Sequence, residues 1–95
     1  MTIDMDYQIK TTDEFEEQFK KLTRKNKALA EIFAKAILKL KENPYAGKPL
    51  THELKGFRSL HISGKWRLIY DVHEDQKLII LRSIGHRKRI YTDFP

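Results

Sequence analysis

Five residues between positions 61 and 91 have side chains suited to work on a phosphate: His61, Arg67, His86, Arg87 and Tyr91. A guanidinium presents its donors as a planar fork that matches two phosphate oxygens. Two such groups could hold a phosphodiester and stabilise the negative charge added in its transition state. Histidine exchanges protons near neutrality. Cleaving RNA without a metal needs one group to take the 2′-hydroxyl proton and another to protonate the departing 5′-oxygen. His61 and His86 on one cleft could do both, and Tyr91 could stack on a base.

Each of these residues also has a structural reading. Arg67 lies between Trp66 and Leu68 and could pair with Asp71 or Glu53, while Arg87 could be plain surface charge. His61 could be a half-buried structural residue, and His86 could be exposed by accident of the turn. Tyr91 could anchor a last strand. Trp66 shares the parity of Leu68 and Tyr70 and reads first as packing. His52 and His73 fall in loops and are set aside. The chain has no cysteine, no close carboxylate–histidine spacing, no glycine-rich phosphate loop and neither HExxH nor GxSxG, so no metal or cofactor is expected.

The elements that must position these groups follow from patterning. A chain of 95 residues with 40% apolar content makes one domain, 1–95, with a modest core. A short strand is expected over Tyr7–Lys10, with a possible extension back to Ile3. Thr11 and Glu14 suggest a capping box for a first helix carrying Phe15, Phe19 and Leu22 on one stripe. A second helix from about Asn26 to Glu42 buries Leu29, Ile32, Phe33, Ala36, Ile37 and Leu40, and stops at Asn43-Pro44. Pro44–Lys48 reads as a loop. Three strands follow, at 57–62, 66–72 and 77–83, with Gly85 redirecting the chain and a last short strand at Lys88–Tyr91. The expected fold is α+β: an N-terminal strand and an antiparallel helical hairpin on one face of a mostly antiparallel sheet of three to four strands. The other face is left partly open.

Net charge is +6 and sits unevenly. Residues 1–44 hold nine Lys/Arg against eight Asp/Glu, and residues 45–95 hold ten against five, so the positive field lies with the sheet. An RNA, DNA or acidic protein partner fits that field, as does a merely solvated basic surface. The opening residues lack a basic n-region and a long apolar run, and no stretch approaches membrane length, so a cytoplasmic protein with no membrane partner is expected.

Two segments, KENPYAGKPLTHELKGFRSLHISGKWRLIYDV and LIILRSIGHRKRIY, resemble the RelE/ParE superfamily of small toxins from type II toxin–antitoxin pairs. The shared marks are a helix ending in an NP turn, a leucine-lysine-glycine step, the strand Trp66-Arg67-Leu68-Ile69-Tyr70, and the Gly85-His86-Arg87 motif before Tyr91. The pattern is nearest the RelE/StbE-like and YafQ-like branches. It implies a RelE-like fold and a ribosome-dependent, metal-independent endoribonuclease that cleaves messenger RNA in the A site by 2′-hydroxyl attack. It also implies a cognate antitoxin, with operator DNA met only through the toxin–antitoxin complex. On this resemblance the catalytic residues are His61, Arg67, His86, Arg87 and Tyr91. Lys48, Lys55, Arg58, Lys65, Lys88 and Arg89 would contact RNA and ribosome.

The chain also departs from the pattern. Its strand 57–62 has Arg58 and His61 where the best-known RelE enzyme has lysines. Lys48 and Lys65 stand near the places of a histidine and an aspartate in the YafQ-like branch, and the step from His86 to Tyr91 is longer by one. Branches that inhibit DNA gyrase share the fold without these catalytic groups, so a non-catalytic binding toxin and a member that chiefly binds its antitoxin stand as alternatives.

Overall fold

The computed structural model describes residues 7–93. The order is β1 (Gln8–Thr11), α1 (Asp13–Thr23), α2 (Lys27–Glu42), β2 (Lys48–Pro49), β3 (Arg58–Ile62), β4 (Trp66–His73), β5 (Leu78–His86) and α3 (Ile90–Asp93). Single 3-10 turns lie at His52–Leu54 and Glu74–Gln76. The extension of β1 to Ile3 falls outside the described residues.

The helices begin where side-chain oxygens can accept orphan backbone N–H groups. At α1 the cap is Thr12, one residue later than expected, and its hydroxyl accepts from Phe15 N. Three carboxylates, Asp13, Glu14 and Glu16, occupy the first turn, where the helix dipole favours them. Asn26 caps α2 by accepting from Leu29 N.

The five strands form one sheet in the order β1-β5-β4-β3-β2, with β1 parallel to β5 and every other pair antiparallel. Thus the sheet has two short edge strands beyond the three long ones. Lys48 and Pro49 pair with Ser59 and Arg58, although this stretch reads as loop. Proline is tolerated there because the strand is at an edge.

The first face of the sheet is covered by the helical hairpin. Phe15, Leu29, Phe33 and Leu40 meet Leu60, Ile62, Leu68, Tyr70, Ile79, Leu81 and Ile84, with Trp66 and Val72 at the margin. Phe33 is completely buried, so Phe33→Ala would cost about 3–5 kcal/mol. A buried hydrogen-bond relay holds the chain after α2. The Tyr70 hydroxyl donates to Pro44 O at 2.7 Å and accepts from Gly47 N at 2.9 Å. Arg58 adds bonds from Nε to Gly47 O and from Nη2 to Tyr45 O.

The second face carries Ser59, His61, Arg67, Ile69, Asp71, Ser83 and Gly85, by the β3–β4 and β4–β5 register. Its centre is not open as expected, since Ile69 and Ser83 are buried. The expected strand at Lys88–Tyr91 is instead α3, which folds back here. Gly85 does not redirect the chain either: it lies within β5, and a Cβ on it would stand 3.4 Å from Ile90 Cδ1. The turn before α3 is closed by Arg89 N→His86 O, and burial of Ile90 holds the helix down.

Between Ile69↔Ser83 and Tyr70↔Leu81 the β4–β5 register skips Arg82, a β-bulge. Arg82 forks onto Asp71 at 2.7 and 3.0 Å, and His73 Nε2 lies 2.8 Å from the same carboxylate.

Candidate functional site

β2 is only two residues long, so among the described residues β3 beyond Ser59 has no strand partner on that side. Over this edge runs a groove of about 1200 Å³. Lys35, Ala36 and Lys39 of α2 line one wall, Lys48 one end, and His61, Arg67 and Tyr91 the other wall. His61 and Arg67 are cross-strand partners, which puts both side chains on one face. The Tyr91 hydroxyl is 2.7 Å from Ser59 Oγ, and the residue is 41% exposed. Thus α3 brings the tyrosine beside the His61–Arg67 pair.

Arg67 is half-buried, and neither expected carboxylate holds it. Its Nη1 donates to Gly64 O at 2.8 Å and to Trp66 O at 2.9 Å. Asp71 pairs with Arg82 and His73 instead, so no carboxylate pairs with Arg67 among the described residues. Its charge remains available to an anion. The contacts to the β3–β4 turn fix the guanidinium beside Ser63 and Gly64, both in the left-handed region that a tight reversal needs.

His86 does not enter this groove. It pairs across strands with Trp66, and the two rings meet edge to face at 5.9 Å. Trp66 in turn meets Phe33 of α2, so His86 lies on the hairpin side of the sheet. Its Nδ1 accepts from Lys88 N at 3.1 Å. Burial, then the charges of Lys65, Lys88, Arg87 and Arg67, hold the imidazole below its usual value of 6.5. Those four cations gather at the end of the sheet formed by the β3–β4 turn and the C-terminus of β5. Arg87 is exposed there, with its backbone N bonded to Lys65 O.

The remaining basic residues divide. Lys48 lines the groove; Lys65 and Lys88 stand at the charged sheet end. Lys55 is exposed after the first 3-10 turn, and Arg89 lines a smaller hollow near His86. Arg58 is engaged with backbone carbonyls and with the Tyr45 ring, on the opposite face from His61. Lys35, Lys39 and Ser59 also line the groove, with no sequence motif to mark them. The lysines lay off the apolar stripe of α2, but which surface that flank would border was not legible locally.

Among the described residues no group of three or more His, Asp or Glu side chains is placed to hold a metal ion, and no helix is long and apolar enough to cross a membrane.

A helical hairpin on a mixed, mostly antiparallel sheet is the architecture of the small RelE/ParE-type toxins. Residues 9–91 match the family model described as the ParE toxin of type II toxin–antitoxin system, parDE, and the chain belongs to this family. The putative toxin RelE4 of Methanocaldococcus jannaschii is 27% identical over 85 residues, covering 90% of each chain. A chain of the toxin–antitoxin complex RelBE2 from Mycobacterium tuberculosis is 28% identical with a TM-score of 0.73, over 86% of this chain and 99% of that one. The YoeB/ParE toxin from Agrobacterium tumefaciens shares the fold, with a TM-score of 0.75 at 19% identity over 83% and 96% of the two chains. The likeness is to the superfamily as a whole, across RelE, YoeB, YafQ and ParE names, and singles out no one branch.

Proposed function

We propose that this toxin cleaves messenger RNA in the ribosomal A site. The observation that carries the reading is the His61–Arg67 pair in a lysine-flanked groove, with Arg67 unmatched by a carboxylate. His61 takes the 2′-hydroxyl proton, the 2′-oxygen attacks phosphorus, and the P–O5′ bond breaks to leave a cyclic phosphate and a 5′-hydroxyl. Arg67 binds the phosphate as it gains charge, with Arg87 approaching from the sheet end. Solvent protonates the 5′-oxygen, because His86 lies on the reverse side. Tyr91 stacks on a neighbouring base, and Lys48, Lys55, Lys65, Lys88 and Arg89 contact RNA and ribosome. The partner that restrains the toxin is a cognate antitoxin, as the RelBE2 complex of the Mycobacterium tuberculosis relative suggests. Operator DNA is met only through that complex.

A second reading, a non-catalytic toxin that inhibits gyrase or another protein, draws on the ParE family match and on the separation of His86 from His61. Toeprinting of a translated messenger on purified ribosomes separates the two. A cut in the A site that Arg67→Ala and His61→Ala each remove supports the nuclease. No cut, with growth still arrested on expression, supports the protein-binding toxin.

A further inference from the structure

Beside β5 at the charged sheet end, between α1 and α3, lies a second hollow of about 370 Å³. It shares no lining residue with the groove. This size falls within the range of about 300–1,000 Å³ usual for small-ligand sites. Leu22, Ile84, Ile90 and the half-buried Trp66 give apolar walls. Lys21 and Arg89 line it as well, and the Lys65 ammonium stands over the Trp66 ring at 5.5 Å.

Its polar groups are oriented. Gln18 Oε1 accepts from Ile84 N at 2.8 Å and Ser83 Oγ at 3.1 Å, at the stretch of β5 that β1 does not reach. Because the backbone N–H is a donor, the amide oxygen is committed to it and the NH₂ remains to donate. At His86 the bond from Lys88 N occupies Nδ1, so the neutral ring carries its proton on Nε2. The hollow therefore combines an aromatic surface, two neutral donors and surrounding cations.

We propose that this hollow is a nucleotide subsite for single-stranded RNA, taking a base with carbonyl acceptors, uracil or guanine, beside Trp66. The proposal rests on RNA being the toxin's substrate. A strand leaving the His61–Arg67 groove crosses Lys65, Arg87 and Lys88 to reach it, and base–aromatic stacking is the usual anchor of such a strand. His86 is then a binding group, which accounts for its place away from His61.

Trp66 is the sole tryptophan, so its emission reports on this site alone. The full chain is titrated with uridine 5′-monophosphate, adenosine 5′-monophosphate and inorganic phosphate. Saturable quenching by the uridine nucleotide is expected, weaker for adenosine and absent for phosphate. Lys21→Glu, at an exposed position, and Gln18→Ala should each weaken binding about tenfold. His61→Ala should leave the quenching intact while removing the toeprint. Equal response to inorganic phosphate, or no effect of Lys21→Glu, overturns the subsite. Should quenching be absent, a 5-iodouridine oligonucleotide that also fails to crosslink to Trp66 or His86 overturns it too. A ribosomal cut without these signals sinks the subsite alone; the signals without a cut sink the nuclease reading and leave an RNA-binding site.

Discussion

The Tyr91 hydroxyl reaches Ser59 Oγ at 2.7 Å, tying α3 to β3 across the second face of the sheet. The tie sets the tyrosine ring beside the His61–Arg67 pair without burying it. Tyr91→Phe removes the bond and keeps the ring, so unfolding stability should fall by about 0.5–1.5 kcal/mol. RNA affinity should hold in Tyr91→Phe and drop in Tyr91→Ala. Equal affinity losses in both variants would place the hydroxyl, not the ring, in contact with RNA.

Gly47 admits no side chain. A Cβ there would stand 2.7 Å from the Tyr70 hydroxyl and 2.9 Å from Ser59 O. Gly47→Ala should destabilise the protein by about 1–3 kcal/mol in urea unfolding. Adding Tyr70→Phe should not restore it, because the Ser59 carbonyl remains and Pro44 O loses its donor.

Glu74 accepts from the Tyr7 and Tyr45 hydroxyls and pairs with Lys77 at 3.0 Å. The bond from Tyr7, then those from Tyr45 and Lys77, lower its carboxyl from 4.5 to about 2. A depressed carboxyl stabilises the fold above its unfolded value and loses that contribution as pH falls through its folded one. The urea midpoint of the wild type should therefore decline between about pH 4.5 and 2. Glu74→Gln should flatten that decline while lowering the midpoint at pH 7.

Asp71 holds the bulge residue Arg82 through two bonds. Asp71→Ala should cost about 1–3 kcal/mol, because Arg82 and His73 lose their acceptor. Arg82→Ala should cost less, since His73 still meets Asp71. A thermal melt in which the order reverses would show that Arg82 acts mainly through its contact with the Phe57 ring.

Lys35 and Lys39 face the groove from α2, a helix with no other part in the proposed chemistry. Charge reversal of both should weaken RNA binding and lower the salt slope by about two phosphate contacts. Circular dichroism should be unchanged, since both side chains are exposed.

The helical layer and the strand parities were legible because they follow from short-range rules. The 3-4 spacing of Phe15, Phe19 and Leu22 set one stripe, and alternation placed His61 with Ser59 and opposite Leu60. What the sequence could not supply depended on partners far along the chain. The extended reading of Lys88–Tyr91 fits local propensity, but Ile90 gains more by folding onto Gly85 than by continuing outward. Arg67 and Asp71 are four residues apart on one face, yet Asp71 is taken by Arg82 from the neighbouring strand. The side on which His86 emerges likewise required the β4–β5 pairing.

The extra residue at Arg82 acts as a phase shift within one strand. Before it, Ile79 and Leu81 point toward the helices; after it, Ile84 and His86 do. With the same pairing up to Leu81 but no bulge, Arg82 would oppose Ile69 and His86 would come opposite Lys65, on the face of His61 and Arg67. Deleting Arg82 would instead keep the pairs from Ser83↔Ile69 to His86↔Trp66 and leave His86 on the hairpin side. The bulge, rather than the length of the strand, thus decides whether this scaffold presents one histidine or two to whatever lies in its groove.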